Sequence, residues 1–341
     1  QAVWVRNKGL ALVLIAQVFG TLMNVTTRLL EVEGNNGKGM HPFQILFVRM
    51  GLTVILATWY MWWKKTPDFP MGQKGITLLL ILRGIGGFFG VFGMYYSLLY
   101  LPLADATVIT FLAPSLACWA CYYILKEPFT RMEQIAALVS LFGVVLIARP
   151  TSFFSFGDGS APSASGTGDV TETPVSFNVT DPAAVEHVPS FDLDSVTPAE
   201  RAAGVGVALL GVIGTAIAFT TIRWIGKRAH PLITVNYFSF MCTIVSMLVM
   251  AFAPGVGFIF PANLKEWSYL IFLGVCGFVM QFLLAAGLQY EKSSRATNMV
   301  YTQMLFALAF DKMFFGTTPG LLSIAGSSLI LGSAIYVAVH K

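Results

Sequence analysis

The sequence predicts an all-α membrane protein with ten transmembrane helices, arranged as two inverted five-helix repeats. Three observations lead to this fold class. Of 341 residues, 56% are apolar and 11% are charged, against about 25% charged residues in soluble domains. Ten segments are long and apolar enough to span a bilayer. Short motifs recur on either side of a polar linker. The composition excludes a soluble enzyme, a disordered protein and a nucleic-acid-binding protein.

The ten apolar segments each approach the roughly 20 residues that a membrane span requires. Glycine and proline residues separate them. The first segment is too long for a signal-peptide core, so we expect it to be retained. The predicted spans cover residues 9–30, 42–62, 76–100, 103–124, 131–149, 202–223, 231–252, 267–290, 296–316 and 319–339.

The distribution of lysine and arginine predicts the orientation. If the N-terminus lies in the cytoplasm, most basic residues flank the cytoplasmic ends of the spans, as the positive-inside rule requires. Both termini are then cytoplasmic, and the segment 150–200 lies on the opposite side. We expect a multi-pass protein of a eukaryotic plasma membrane or secretory-pathway membrane.

The segment 150–200 is rich in serine, glycine and proline, and contains eight acidic residues but no lysine or arginine. Such a composition cannot bury a core, so it predicts a disordered external linker. The triplet Asn178-Val179-Thr180 is an acceptor site for N-glycosylation on the correct side of the membrane.

Nothing in the sequence indicates a metal, a cofactor or catalysis. The four cysteines lie in apolar segments, where small buried thiols are the default, and we expect no disulfide. Cys118 and Cys121 form a C-x-x-C motif without the second ligand pair that a zinc site needs. We therefore expect neither an enzyme nor a metalloprotein.

The linker separates a predicted first repeat, residues 1–149, from a second, residues 201–341. Three motifs recur between 189 and 194 residues apart: Gly20-Thr21 as Gly214-Thr215, His41-Pro42 as His230-Pro231, and Ala106-Thr107 as Ala296-Thr297. Because five is odd, the second repeat enters the membrane from the opposite side. Inverted repeats place a substrate site near the midplane and alternate its access, which predicts a transporter.

Several polar residues lie where lipid would not tolerate them. Gln17, Thr21, Asn24 and Arg28 share one face of the first helix. Polar candidates in the second half are Gln281, Asn298 and Tyr301, with Asn236, Tyr237 and Thr302 nearby. We expect the stripe to face the bundle interior or a water-filled path, and we predict that Gln17, Thr21, Asn24, Gln281, Asn298 and Tyr301 bind the substrate. The alternatives are hydrogen bonding between helices for the stripe, and packing for the tyrosines.

Arg49 and Arg83 both lie well inside predicted spans. A charge at such depth costs at least about 2.5–3.5 kcal/mol unless it is paired or hydrated. No acidic residue lies clearly in mid-membrane, since Asp105, Glu127 and Asp311 are near helix ends. The arginines therefore predict a small anionic substrate, although each could instead snorkel or cap carbonyl groups.

Motifs that allow a comparison with known families occur in both halves, and they are specific mainly in the first. They are Phe47-Val48-Arg49, Leu82-Arg83-Gly84, LADATVITF at 103–111, Pro114, Lys126-Glu127, Gly143, Arg149-Pro150 and, in the second half, Leu288-Gln289-Tyr290-Glu291-Lys292. They resemble the drug/metabolite transporter superfamily of the EamA type, and most closely the G branch of solute carrier family 35.

The resemblance implies ten helices, cytoplasmic termini, a central cavity and substrate contacts from Arg49 and Arg83. Members of this branch are associated with organic anions such as carboxylates, whereas the long acidic linker departs from the family pattern. We predict a transporter of a small organic anion whose partners are this substrate and the lipid bilayer, and which binds no nucleic acid. The alternatives are a nucleotide-sugar carrier, a carrier of neutral or amine metabolites, and a membrane scaffold that does not transport.

Overall fold

In the computed structural model, helices joined by turns and short connections make up the part of the chain that is described. Residues 150–197, which include most of the predicted linker and Asn178, lie outside that part. The described residues are 2–37, 40–69, 72–73, 75–97, 100, 103–127, 129–148, 198–252, 260–261, 263–290, 294–315 and 321–339.

Twelve α-helices and two short 3₁₀-helices, with no β-strand, make up the secondary structure of the described residues. The α-helices are α1 Ala2–Gly37, α2 Pro42–Trp63, α3 Thr77–Ser97, α4 Leu103–Thr110, α5 Leu112–Leu125, α6 Arg131–Ala148, α7 Pro198–Ile225, α8 Pro231–Phe252, α9 Leu264–Tyr290, α10 Ser294–Asn298, α11 Gln303–Phe315 and α12 Leu321–Val339. The 3₁₀-helices are Gly226–Arg228 and Met299–Thr302.

Seven stretches of these helices are long and apolar enough to cross a membrane. They are Lys8–Thr27, Pro42–Trp63, Thr77–Met94, Val108–Leu125, Ala202–Arg228, Pro231–Phe252 and Leu264–Tyr290, and a shorter apolar stretch follows at Ile324–Tyr336. The chain is therefore a multi-pass membrane protein, and the count of ten spans stays a prediction.

Local sequence explains where three helices begin. The Nδ1 of His41 accepts a hydrogen bond from the Phe43 backbone N–H at 3.2 Å, immediately before the proline that opens α2. The recurring His230 accepts one from Leu232 at 3.3 Å at the start of α8. Proline suits the first turn of a helix because its missing N–H is not needed there. Thr130 and Glu133 cap α6 reciprocally, as a capping box does.

Two segments that were expected to form single spans are interrupted. The segment 103–124 divides into α4 and α5 at Phe111, because Pro114 cannot donate a hydrogen bond to the carbonyl four residues earlier. The segment 296–316 divides into α10, a 3₁₀ turn and α11, without a proline. The interruptions meet, since the rings of Phe111 and Tyr301 stack with centroids 6.0 Å apart.

The largest helix contacts join the first part of the chain to the second. Helix α3 packs on α7, α1 on α9, α6 on α12 and α2 on α8. Between α3 and α7 the backbones approach so closely that a Cβ on Gly86 would lie 2.7 Å from the carbonyl oxygen of Gly214. Small residues permit such an approach in membrane proteins. Ser140 and Ser333 add a 2.6 Å hydrogen bond between α6 and α12.

Candidate substrate-binding site

Arg83 is buried in the middle of α3. Its side chain is 3% exposed, and its guanidinium carbon lies 4.5 Å from the ring centroid of Phe238 on α8. Among the described residues, no group accepts a hydrogen bond from its Nε. The face of the guanidinium is thus covered by a π-system, which stabilises a cation without neutralising it.

Arg49 is half-buried in α2 and reaches toward α1 and α9. Its Nη1 donates a hydrogen bond to the Sδ of Met23 on α1 at 3.1 Å. The stem of the side chain crosses Gly277 of α9, where a Cβ would lie 3.1 Å from Cγ of Arg49. A thioether is a weak acceptor, so this contact leaves most of the guanidinium's hydrogen-bonding capacity unused.

Both arginines belong to helices that pack on α8. Arg83 stacks on Phe238 of α8, and α2, which carries Arg49, packs on the same helix. Cys242, one turn after Phe238, is buried. Among the described side chains, neither arginine forms an ion pair with a carboxylate. We call Arg49, Arg83, Met23, Phe238 and Cys242 the two-arginine cluster. It combines positive charge with apolar or soft neighbours, an arrangement that favours an anion.

The polar stripe on α1 does not reach this cluster through the contacts described. The side chain of Gln17 donates to the carbonyl of Val13 at 3.3 Å, and Thr21 donates to the carbonyl of Gln17 at 2.9 Å. Both bonds stay within the helix. Asn24 is exposed, and the side chain of Arg28 lies outside the description.

Two of the candidates in the second half, Asn298 and Tyr301, bond to residues of other helices. Asn298 is buried, and its Nδ2 donates to the carbonyl of Glu133 on α6 at 3.4 Å. Its Oδ1 accepts from the Cys118 thiol at 3.9 Å. Tyr301 is fully buried, with its hydroxyl 2.5 Å from the Ser115 hydroxyl. Gln281 is half-buried in α9.

An ion pair between α7 and the end of α5 escaped the sequence analysis. The Nη2 of Arg223 lies 2.6 Å from the Oε2 of Glu127, and the arginine side chain is 1% exposed. Its Nη1 donates to the Thr297 hydroxyl at 3.3 Å. Both charged residues lie at helix ends in the sequence, where exposure is the default expectation, so no local signal indicated the pair.

Two members of the two-arginine cluster, Met23 and Phe238, also escaped the sequence analysis because apolar residues carry no functional signal. The internal repeat, however, provides a signal for Phe238. This residue follows Arg49 by 189 residues, the separation of His41 and His230, and therefore occupies the position equivalent to Arg49. As for metals, the described residues contain no group of three potential His, Cys, Asp or Glu ligands.

Apolar helices of spanning length, with charged side chains buried between them, define a multi-pass integral membrane protein. The sequence profile of the EamA-like transporter family matches residues 7–149 and 202–339. The chain belongs to the EamA-like transporter family, within the drug/metabolite transporter superfamily.

Individual relatives agree with this assignment. A probable transport protein of Saccharomyces cerevisiae is 37% identical over 97% of this chain and 88% of its own length. The human solute carrier family 35 member G1 is 26% identical over 89% of this chain and 73% of its own length. A solved crystal structure superposes with a TM-score of 0.69 at 15% identity, covering 97% of each chain, and shares the fold.

Proposed function

We propose that this membrane transporter carries a small organic anion, such as a carboxylate metabolite, by alternating access between two inverted five-helix repeats. The observation that carries the proposal is the two-arginine cluster. Arg83 is buried against Phe238, and Arg49 binds the thioether of Met23. A carboxylate or phosphate would supply the charge-assisted hydrogen bonds that these partners do not.

Burial strengthens such hydrogen bonds between an arginine and an anion. Charges interact more strongly where water is excluded, and an unpaired arginine in a membrane span is costly. An incoming anion therefore recovers part of the cost of burying the arginines. A neutral substrate would not recover this cost. We therefore favour a carrier of organic anions over a carrier of neutral or amine metabolites.

Three features of the fold support the inverted repeats. The caps at His41 and His230 occur at equivalent positions. The interruptions at Phe111 and Tyr301 lie 190 residues apart and touch. The packing of α3 on α7 has its counterpart in the packing of α1 on α9. Interrupted helices near the midplane are a common place for substrate sites in transporters with inverted repeats.

The decisive experiment measures uptake and counterflow in proteoliposomes. Succinate, citrate and inorganic phosphate serve as anionic probes, and choline and glucose as cationic and neutral ones. We expect wild-type protein to transport at least one anion and Arg49→Gln to lose most of that flux. Arg131→Gln is the matched control, because this arginine is exposed at the start of α6.

Each alternative has its own outcome. Normal anion flux in Arg49→Gln would remove the arginine from the site. Transport of choline or glucose in place of the anions would support a carrier of amine or neutral metabolites. Protein that is folded but moves none of the probes would support the scaffold.

We also propose that both termini face the cytoplasm of a eukaryotic plasma or secretory-pathway membrane, with residues 150–200 on the other side. A single cysteine at Ser165 in a Cys-free background tests this topology. A membrane-impermeant maleimide should label it in sealed vesicles from the side opposite to the termini. Removal of a glycan by glycosidase, absent in Asn178→Gln, would establish the same orientation independently.

A further inference from the structure

The two arginines of the cluster each lie against a glycine, and the two glycines occupy equivalent positions in the two halves. Gly84 and Gly87 of α3 recur 190 residues later as Gly274 and Gly277 of α9. Gly87 contacts Phe238, and Gly277 contacts Arg49. Since Phe238 is the repeat equivalent of Arg49, these are the same helix contact in the two halves.

At Gly87, two side chains fill the space that a Cβ would need. A Cβ would overlap the ring of Phe238 and would lie 2.5 Å from Nη1 of Arg83, which is in the same helix. An alanine here would therefore force the guanidinium or the ring to move. The stacking of Arg83 on Phe238 depends on the absence of a side chain at this position.

At Gly277, the stem of Arg49 is the neighbour. A Cβ would lie 3.1 Å from its Cγ, 3.4 Å from its Cδ and 3.7 Å from the sulfur of Met23. The two atoms of the stem are thus in tight contact with α9, and the Met23 sulfur that accepts the hydrogen bond of Arg49 is also close. A methyl group at this position would push the stem away from α9 and disturb that hydrogen bond.

We propose that Gly87 and Gly277 are positioning residues of the anion site, which hold the side chains of Arg83 and Arg49 in the places where an anion would meet them. This inference rests on the proposed function. Gly87 and Gly277 are equivalent in the repeat, whereas Arg83 and Arg49 are not, and the proposal explains how the two glycines can still support one site. The second half places an aromatic ring where the first places Arg49, and Arg83 occupies the face of that ring.

The test compares alanine at these glycines with alanine at two glycines of the same helices whose nearest neighbours are not arginine. A Cβ at Gly274 would overlap only Leu52, and a Cβ at Gly90 would overlap only Thr215. Transport of succinate, citrate or inorganic phosphate, whichever the wild type moves fastest, is measured as KM and maximal rate. The melting temperature of each variant is measured alongside.

We expect Gly277→Ala and Gly87→Ala to raise the KM for the anion by about tenfold, the consequence of misplacing one charge-assisted contact. The controls Gly274→Ala and Gly90→Ala should lower the melting temperature while leaving KM unchanged. In an Arg83→Gln background, Gly87→Ala should raise KM no further, because the group that it displaces is gone. If Gly87→Ala fails to fold, the KM values of Gly277→Ala and Gly274→Ala are sufficient to test the proposal.

The outcomes separate this inference from the proposed function. If the wild type transports an anion and Arg49→Gln does not, but Gly277→Ala keeps the normal KM, the glycines are not positioning residues and the anion site stands. If all four glycine variants raise KM alike, packing explains the effect and the inference fails. If the wild type transports no anionic probe, the proposed function fails first.

Discussion

Two buried arginines of this protein, Arg83 and Arg223, have opposite surroundings. Arg223 is paired with Glu127 at 2.6 Å and also donates to Thr297. Arg83 stacks on Phe238, and no described carboxylate pairs with it. A buried charge with its own partner belongs to the structure, whereas a buried charge without one is available to a ligand. Depth in the membrane alone does not distinguish the two cases.

We expect the greatest loss of stability from a variant that breaks the ion pair of Arg223. Glu127→Gln removes the carboxylate and leaves the Arg223 charge buried, which costs about 3–5 kcal/mol for a buried ion pair. We expect a strong fall in melting temperature and in the yield of folded protein. Asp68→Asn is the control, because Asp68 is exposed and asparagine tolerates its positive φ of 64°. A Glu127→Gln protein as stable as the wild type would contradict the structural role of the pair.

The next effect concerns Arg49 and should appear in transport before it appears in stability. Losing a hydrogen bond to a charged group costs about 1.5–3 kcal/mol, or about 10–150-fold in apparent affinity. Arg49→Gln should show this loss, and Arg49→Lys a smaller one, because lysine keeps the charge but not the planar fork. The KM for the transported anion and the melting temperature are measured together. If the variants lose stability but the folded protein keeps its KM, Arg49 has a structural role like that of Arg223.

A smaller effect is expected when the support of Arg83 is removed and its charge is kept. Phe238→Leu abolishes the cation–π contact, which contributes about 0.5–2 kcal/mol, so the KM should rise by about 2–30-fold. Arg83→Gln, which removes the charge, should have the larger effect of the two. The control is Phe240→Leu, because Phe240 is an exposed residue of the same helix. Equal KM values in Phe238→Leu and wild type would mean that the ring does not orient the guanidinium.

The smallest effect concerns the caps of α2 and α8, the helices that carry Arg49 and Phe238. Burial lowers the pKa of His41 and of His230 below the ordinary value of about 6.5. The unfolded chain then binds more protons than the folded protein as the pH falls below 6.5, so stability is full above that pH and decreases below it.

The measurement is the melting temperature at pH 7.5 and pH 5.5. The double variant His41→Asn, His230→Asn keeps a capping side chain at both positions without a titrating group. It should lose less stability than the wild type between the two pH values. The same pH dependence in both proteins would show that other groups dominate the titration.

The amino-acid sequence was sufficient to predict the class of protein and to single out Arg49 and Arg83. Hydropathy and breakers predicted where most helices lie, because a membrane span has a length that the bilayer dictates. The family assignment followed from motifs in both halves and is confirmed. The role of Arg49 and Arg83 in anion binding, the orientation and the ten-helix repeat stay predictions.

The sequence does not show which polar groups already have partners, because the packing of the helices determines this. Asn298 and Tyr301 bond to residues far away in sequence, Glu133 and Ser115, and Arg223 meets Glu127 across the two halves. The physical reason is that the cost of burying a polar group depends on what lies within about 3 Å of it. Helix packing sets that distance, and no local pattern in the chain records it.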